Sequence, residues 1–104
     1  MVTKSATVPN SVYEILKQIT GEARIDVALP MALKDLVQLK TQALLEKIAA
    51  FEKKYGMSFD EFEKACQDGR VANPFSYDVE KDNWEWEASI VEHEDLQEMA
   101  QWLA

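Results

Sequence analysis

The sequence predicts an all-α protein: a long central helix, with a short N-terminal helix and C-terminal helices packed back along it, in a dimeric assembly. Three observations predict it. Apolar residues recur by threes and fours over most of the 104 residues, the spacing of one helix face. Glycines and capping residues punctuate those runs at Gly21, at Gly56-Met57-Ser58 and at Gly69. Period-two alternation, the mark of a half-buried strand, is confined to two short runs, 24–29 and 84–90.

Residues 1–8, MVTKSATV, are polar and aperiodic, so a disordered N-terminus is expected there, with 9–104 as a single helical domain. Pro9-Asn10-Ser11 then opens a first helix, in which Val12, Ile15, Leu16 and Ile19 recur at helical spacing until Thr20-Gly21. The central helix covers at least 31–55. Its stripe runs through Leu33, Leu36, Val37, Lys40, Leu44, Ile48, Phe51 and Tyr55, and Gly56 follows as the residue that commonly stops a helix. At about 1.5 Å per residue this rod exceeds about 35 Å, more than a compact domain of this size needs. Something must therefore lie along it. The segment in front is ambiguous, since Arg24-Ile25-Asp26-Val27-Ala28-Leu29 alternates well enough for a short strand. Pro30 would then sit in the first helical turn; were 22–29 helical instead, Pro30 would kink the rod.

YGMSFDEF is the strongest local signal. Ser58 and Glu61 have the spacing of a capping box, with Met57 and Phe62 at the staple positions across it. Phe59, Phe62, Ala65 and Cys66 form a short apolar face, and Gly69 ends the element. In GRVANPFSY, Asn73-Pro74 signals a turn and Ser76 or Asp78 supplies the next cap. In the last segment Val79, Trp86 and Ile90 share one face, while Trp84, Ala88, Val91 and Trp102 share another. Leu96, Met99, Ala100 and Leu103 continue the apolar surface round the helix, and this drift predicts a break near Asp95 with Glu98 at the third position. A strand through Trp84, Trp86, Ala88 and Ile90 also fits the alternation, but the Glu and Ala content favours helix.

Charge is unevenly divided. Residues 1–56 carry eight Lys and Arg against six Asp and Glu, whereas 57–104 carry three against thirteen. An acidic carboxy-terminal half repels nucleic acid and favours a basic partner. Solubility alone is the plainer reading of such charge. The one cysteine, Cys66, excludes an intramolecular disulfide and fits a reducing compartment as small apolar filler. No apolar run approaches the roughly 20 residues of a membrane span, and the first residues lack the pattern of a secretion signal, so a cytoplasmic location is expected.

Catalytic constellations are missing from the sequence. It contains no phosphate-binding glycine loop, no Gly-x-Ser-x-Gly elbow and no cysteine paired with spaced histidines. His93 lies between Glu92 and Glu94, which a helix points about 100° to either side of it. Ile90 occupies the place where a carboxylate bundle needs glutamate. Neither a metal nor a cofactor is expected. What remains is an interaction surface, because tryptophan is enriched at binding hot spots and nearby carboxylates steer a basic partner. The expected anchors are Trp84, Trp86 and Trp102, with Glu85 and Glu87 beside them. Against this stands the plain structural reading, in which all three rings cover the central helix. Trp84 and Trp86 lie on different faces, so one of them at most can do so.

YGMSFDEFEKAC and YDVEKDNWEWEAS resemble a family of small, mostly uncharacterised bacterial and archaeal helical proteins with a Lys-Tyr-Gly-Met-Ser-Phe block and a Trp-Glu-Trp-Glu core. The likeness covers roughly residues 23–103. Such proteins are often encoded beside small toxin-like proteins, which implies an antitoxin-like, partner-binding role without catalytic residues. Pro30 departs from the continuous helix of that pattern. A second resemblance offers an alternative: ARIDVALPMALKDL is similar to the strand and first helix of ribbon-helix-helix DNA-binding regulators, which would make 23–30 the DNA-reading element. Here the following helix is about twice too long for that family, and Arg24 stands beside Glu22 and Asp26. The expected function is non-enzymatic protein binding, with a small basic protein such as a ribonuclease-like toxin as partner, in a homodimer or hetero-oligomer.

Overall fold

The structure, a computed structural model, describes residues 7–103. Residues 1–6 of the expected disordered N-terminus lie outside the described residues. Four α-helices follow one another: α1 (Asn10–Thr20), α2 (Ile25–Tyr55), α3 (Phe59–Gln67) and α4 (Tyr77–Ala100), with a 3-10 turn at Gln101–Leu103. Among the described residues there is no strand. The all-α architecture is that expected, with α2 as the spine, α1 laid against its beginning and α4 returning along its second half.

The ambiguous segment 24–29 is helical from Ile25 onward, so α2 begins earlier than the stripe alone required and Pro30 lies inside it. Proline there removes one backbone donor and crowds the carbonyl four residues back, at a cost of about 3 kcal/mol. The rod is bent, and Pro30 is the interior residue that accounts for it. Packing outweighs the local penalty. Ala28 is buried, and the Tyr13 hydroxyl of α1 donates to the Ala23 carbonyl at 2.7 Å, tying the hairpin just before α2 starts.

Gly21 and Gly56 both terminate their helices in the left-handed region, at φ 72° and 68°, where a side chain is disfavoured. The Ser58 hydroxyl oxygen accepts from the Glu61 amide at 3.3 Å, which is one half of the anticipated capping box. The other half is rearranged: Ser58 Oγ donates to Glu61 Oε1 at 3.0 Å, so the carboxylate is held by the hydroxyl. Met57 and Phe62 both join the core, as a staple requires. At the far end of α3 the Arg70 amide bonds back to the Ala65 carbonyl at 2.8 Å across Gly69, a Schellman-type stop. Ser76, and not Asp78, caps α4 by accepting from the Val79 amide at 3.4 Å.

Two expectations for the last segment are corrected. No break occurs near Asp95; α4 is continuous through it to Ala100, and the apolar drift wraps round one helix. The alternating run 84–90 is helical throughout, so its alternation reflects two helix faces instead of two sheet faces.

The core is small and aromatic. Phe51 and Tyr55 come from successive turns of α2, Phe59 and Phe62 from α3, and Trp86 from α4. Trp86 is 0% exposed and its ring lies 5.5 Å from Phe51, 5.9 Å from Tyr55, 5.3 Å from Phe59 and 5.2 Å from Phe62, centroid to centroid. Such pairs add about 0.5–1.5 kcal/mol each beyond area burial. Ile48, Val79 and Ile90 pack round them. The Trp86 indole N–H has no hydrogen-bond partner, a defect of about 1–3 kcal/mol that the ring contacts must offset. One polar cluster fixes the register of α4 on α2: Asp82 accepts from the Tyr55 hydroxyl at 2.6 Å and from Lys54 Nζ at 2.5 Å.

Candidate functional site

Trp86 provides no surface for a partner. It was an expected anchor, and its complete burial assigns it to the core. The spacing already separated it from Trp84, because two positions along a helix turn a side chain by about 200°. Trp84 is 63% exposed and Trp102 79% exposed.

These two rings share one line along α4. Trp84, Ala88, Val91, Asp95 and Met99 succeed one another by threes and fours, and Trp102 in the terminal 3-10 turn completes the row. At 1.5 Å per residue the row is about 27 Å long. Glu87 and Glu92 flank Trp84 in a shallow hollow of about 410 Å³, and Asp95, Glu98 and Met99 form a second hollow with Trp102, of about 290 Å³. Glu87, Glu92 and Glu98 thus border a stripe that is apolar except at Asp95.

Glu87 lies on this face beside Trp84. Glu85 does not: it is half-buried on the next face, 3.8 Å from Lys81, and its carbonyl accepts the hydroxyl of buried Ser89 at 2.7 Å. Sequence reasoning named the residues adjacent to each tryptophan and passed over Glu92, Asp95, Glu98 and Met99. Counting eight and eleven positions on from Trp84 would have found the first two, since steps of three and four along a helix return to the same face.

A groove of about 530 Å³ runs between the middle of α2 and the end of α4, lined by Val37, Thr41, Leu45, Gln97 and Ala100 among others. Glu46 is its one ionisable group, and Thr41 Oγ1 points into the seam without a partner. It is a place where two helices diverge. No group of three or more His, Cys, Asp or Glu side chains among the described residues is arranged to hold a metal ion.

The perturbed titrations are structural. Burial pushes the Tyr55 hydroxyl above the usual tyrosine range, and its hydrogen bond to Asp82 adds to the effect. For Asp82 burial works toward a higher pKa, but the bonds from Lys54 and Tyr55 prevail and hold the carboxyl below its ordinary value. Burial, reinforced by Glu63, raises the Cys66 thiol, which keeps it protonated and weakly nucleophilic. No helix among the described residues is long and apolar enough to cross a membrane. Comparison with protein-family models, with curated proteins and with solved structures yields no match.

Proposed function

We propose that the chain is a non-enzymatic, antitoxin-like binding module that holds a small basic protein on the acidic, tryptophan-bearing face of α4. The observation that supports it most is the row from Trp84 to Trp102, apolar but for Asp95 and bordered by Glu87, Glu92 and Glu98, with no Lys or Arg anywhere in 82–102. Two large uncovered rings on one helix face are expensive to leave in water and serve as anchors in a partner's apolar groove. The carboxylates steer a cation toward that groove and disfavour anions, nucleic acid included. The DNA-binding alternative needed an extended segment at 23–30, and helix from Ile25 onward deprives it of that element.

The experiment is copurification of the tagged chain from its native cell at low and high salt, followed by measurement of affinity for the isolated companion. A basic companion whose binding weakens with salt, and falls about 100-fold or more when Trp84→Ala and Trp102→Ala are combined, is the expected result, in keeping with two anchors worth at least 1–2 kcal/mol each. Unchanged affinity in that double variant would assign the binding to another face.

A further inference from the structure

We infer that the chain pairs with a second copy of itself through its amino-terminal hairpin, the α1 helix together with the first half of α2, so that two hairpins form a four-helix bundle. The pairing uses a surface remote in sequence from the α4 row, and it does not rest on the binding function proposed for that row.

Shape is the first argument. The molecule measures 58 × 30 × 21 Å, with a radius of gyration of 19.8 Å, where a compact chain of this length has about 13 Å. Its accessible area is 8085 Å², about 2,000 Å² beyond what a compact monomer of this mass exposes. That surplus exceeds the roughly 800 Å² that each partner contributes to a standard interface and suits an obligate dimer.

The second argument is where the uncovered apolar surface lies. On α1, Val12, Ile15 and Ile19 stand exposed one turn apart, Ile19 at 72%. On the facing stretch of α2, Leu29, Leu33 and Leu36 are each 40–48% exposed. In this hairpin Ala28 alone is fully buried. Two helices packed against each other cover one side of each stripe, and a symmetry-related hairpin covers the other, which is the arrangement of a bundle. α4 does not supply the cover, because its last turns lie beside Val37 and Thr41.

Charge selects the occupant. Residues 10–40 carry four Lys and Arg and four Asp and Glu, so two copies of this segment meet without net repulsion. Residues 57–104, with thirteen acidic groups against three basic, repel their like. Self-pairing through the neutral hairpin places both acidic halves outward, each with its α4 row open. A second copy fits the hairpin; a strongly charged partner gains nothing there.

Sedimentation velocity on the full chain, from low to high micromolar concentration, tests the inference. The expected mass is twice that of the 11.9 kDa chain. Ile15→Lys combined with Leu33→Glu should weaken association at least about tenfold, since each places a charge in the apolar seam. Far-ultraviolet circular dichroism and Trp86 fluorescence should hold steady in that variant. Should it fail to fold, the milder pair Ile15→Ser and Ile19→Ser reads the same seam through a smaller shift. Trp84→Ala with Trp102→Ala should keep the double mass. A wild-type chain of single mass at every concentration overturns the inference, and so does loss of the dimer in the tryptophan variant alone. A persistent dimer that takes no basic partner would sink only the function proposed for α4.

Discussion

The two ends of the spine are packed by opposite means. At its carboxy-terminal end, Phe51 and Tyr55 are enclosed by α3 and α4, and their rings, with those of Phe59 and Phe62, lie against Trp86. At its amino-terminal end, Leu29, Leu33 and Leu36 have one short helix beside them and stay 40–48% exposed. The same rod therefore carries a finished core at one end and an unfinished one at the other. Helix propensity does not distinguish them, because both ends are rich in good helix formers. The difference is the number of elements within reach, and it says that stability of the isolated chain resides in the aromatic end.

Trp86→Ala is the sharpest way to break that end. Removing a fully buried indole costs about 3–5 kcal/mol, a large share of the 5–15 kcal/mol typical of a whole domain. Chemical denaturation should show α3 and α4 detaching, or no cooperative transition at all. Retention of full stability would mean that the aromatic cluster is not the anchor of the fold.

Asp82→Asn attacks the same end at its polar edge and should cost about 1–2 kcal/mol, most of it from the bond to Tyr55, because Lys54 is solvent-screened. It also carries a pH signature. The Asp82 pKa is lowered on folding, so its contribution is present above the ordinary aspartate range and is lost as pH falls through the folded value. Wild type should lose stability on acidification below about pH 4 more steeply than Asp82→Asn. Tyr55 has the opposite sign: its raised pKa gives stability that is whole below about pH 10 and fades as pH climbs above it. Equal acid slopes in the two proteins would show that the cluster does not hold α4 in register.

What the sequence made legible follows the same division. Local signals were read well: Gly21, Gly56 and Ser58 mark helix ends because the chemistry that stops or caps a helix lies within four residues of itself. The faces of α4 were legible too, since Val79, Trp86 and Ile90 turn inward and Trp84, Ala88, Val91 and Trp102 turn outward as their spacing requires. Three things were not legible. Whether 25–30 is helix or strand depends on packing that buries Ala28, in a stretch where α1 lies against α2, and so on contact between segments. The continuity of α4 through Asp95 depends on Leu96 finding shelter there, where it is buried. Which tryptophan is core depends on where α3 delivers Phe59 and Phe62. Composition placed Trp86 and Glu85 with the partner-binding residues; packing removed Trp86, and Glu85 stands partly exposed on the neighbouring face beside Lys81.

Ser58→Ala should cost about 1 kcal/mol by removing the cap on which α3 begins. The Ser76 bond is longer, at 3.4 Å, so Ser76→Ala should cost less. Measured together by urea titration, the two rank the α2–α3 junction against the loop before α4. An inverted ranking would place the weaker hinge of the aromatic end at Met57 instead of at Asn73-Pro74.

The smallest effect belongs to the other end, and it depends on concentration. Ile19 is 72% exposed, so Ile19→Ser should change the stability of a dilute, unassociated chain by no more than about 0.5 kcal/mol. Association through the hairpin alters this, because a dimer is stabilised by mass action and only the folded, apolar hairpin takes part. Raising the protein concentration should therefore separate the melting curves of wild type and Ile19→Ser, with wild type moving upward and the variant lagging. Amide exchange resolves the same point locally: α1 should exchange faster than α3 in dilute solution and become protected as concentration rises, in wild type more than in the variant. Curves that coincide at every concentration would mean that the amino-terminal end stays uncovered, and that the spine tolerates its open leucines alone.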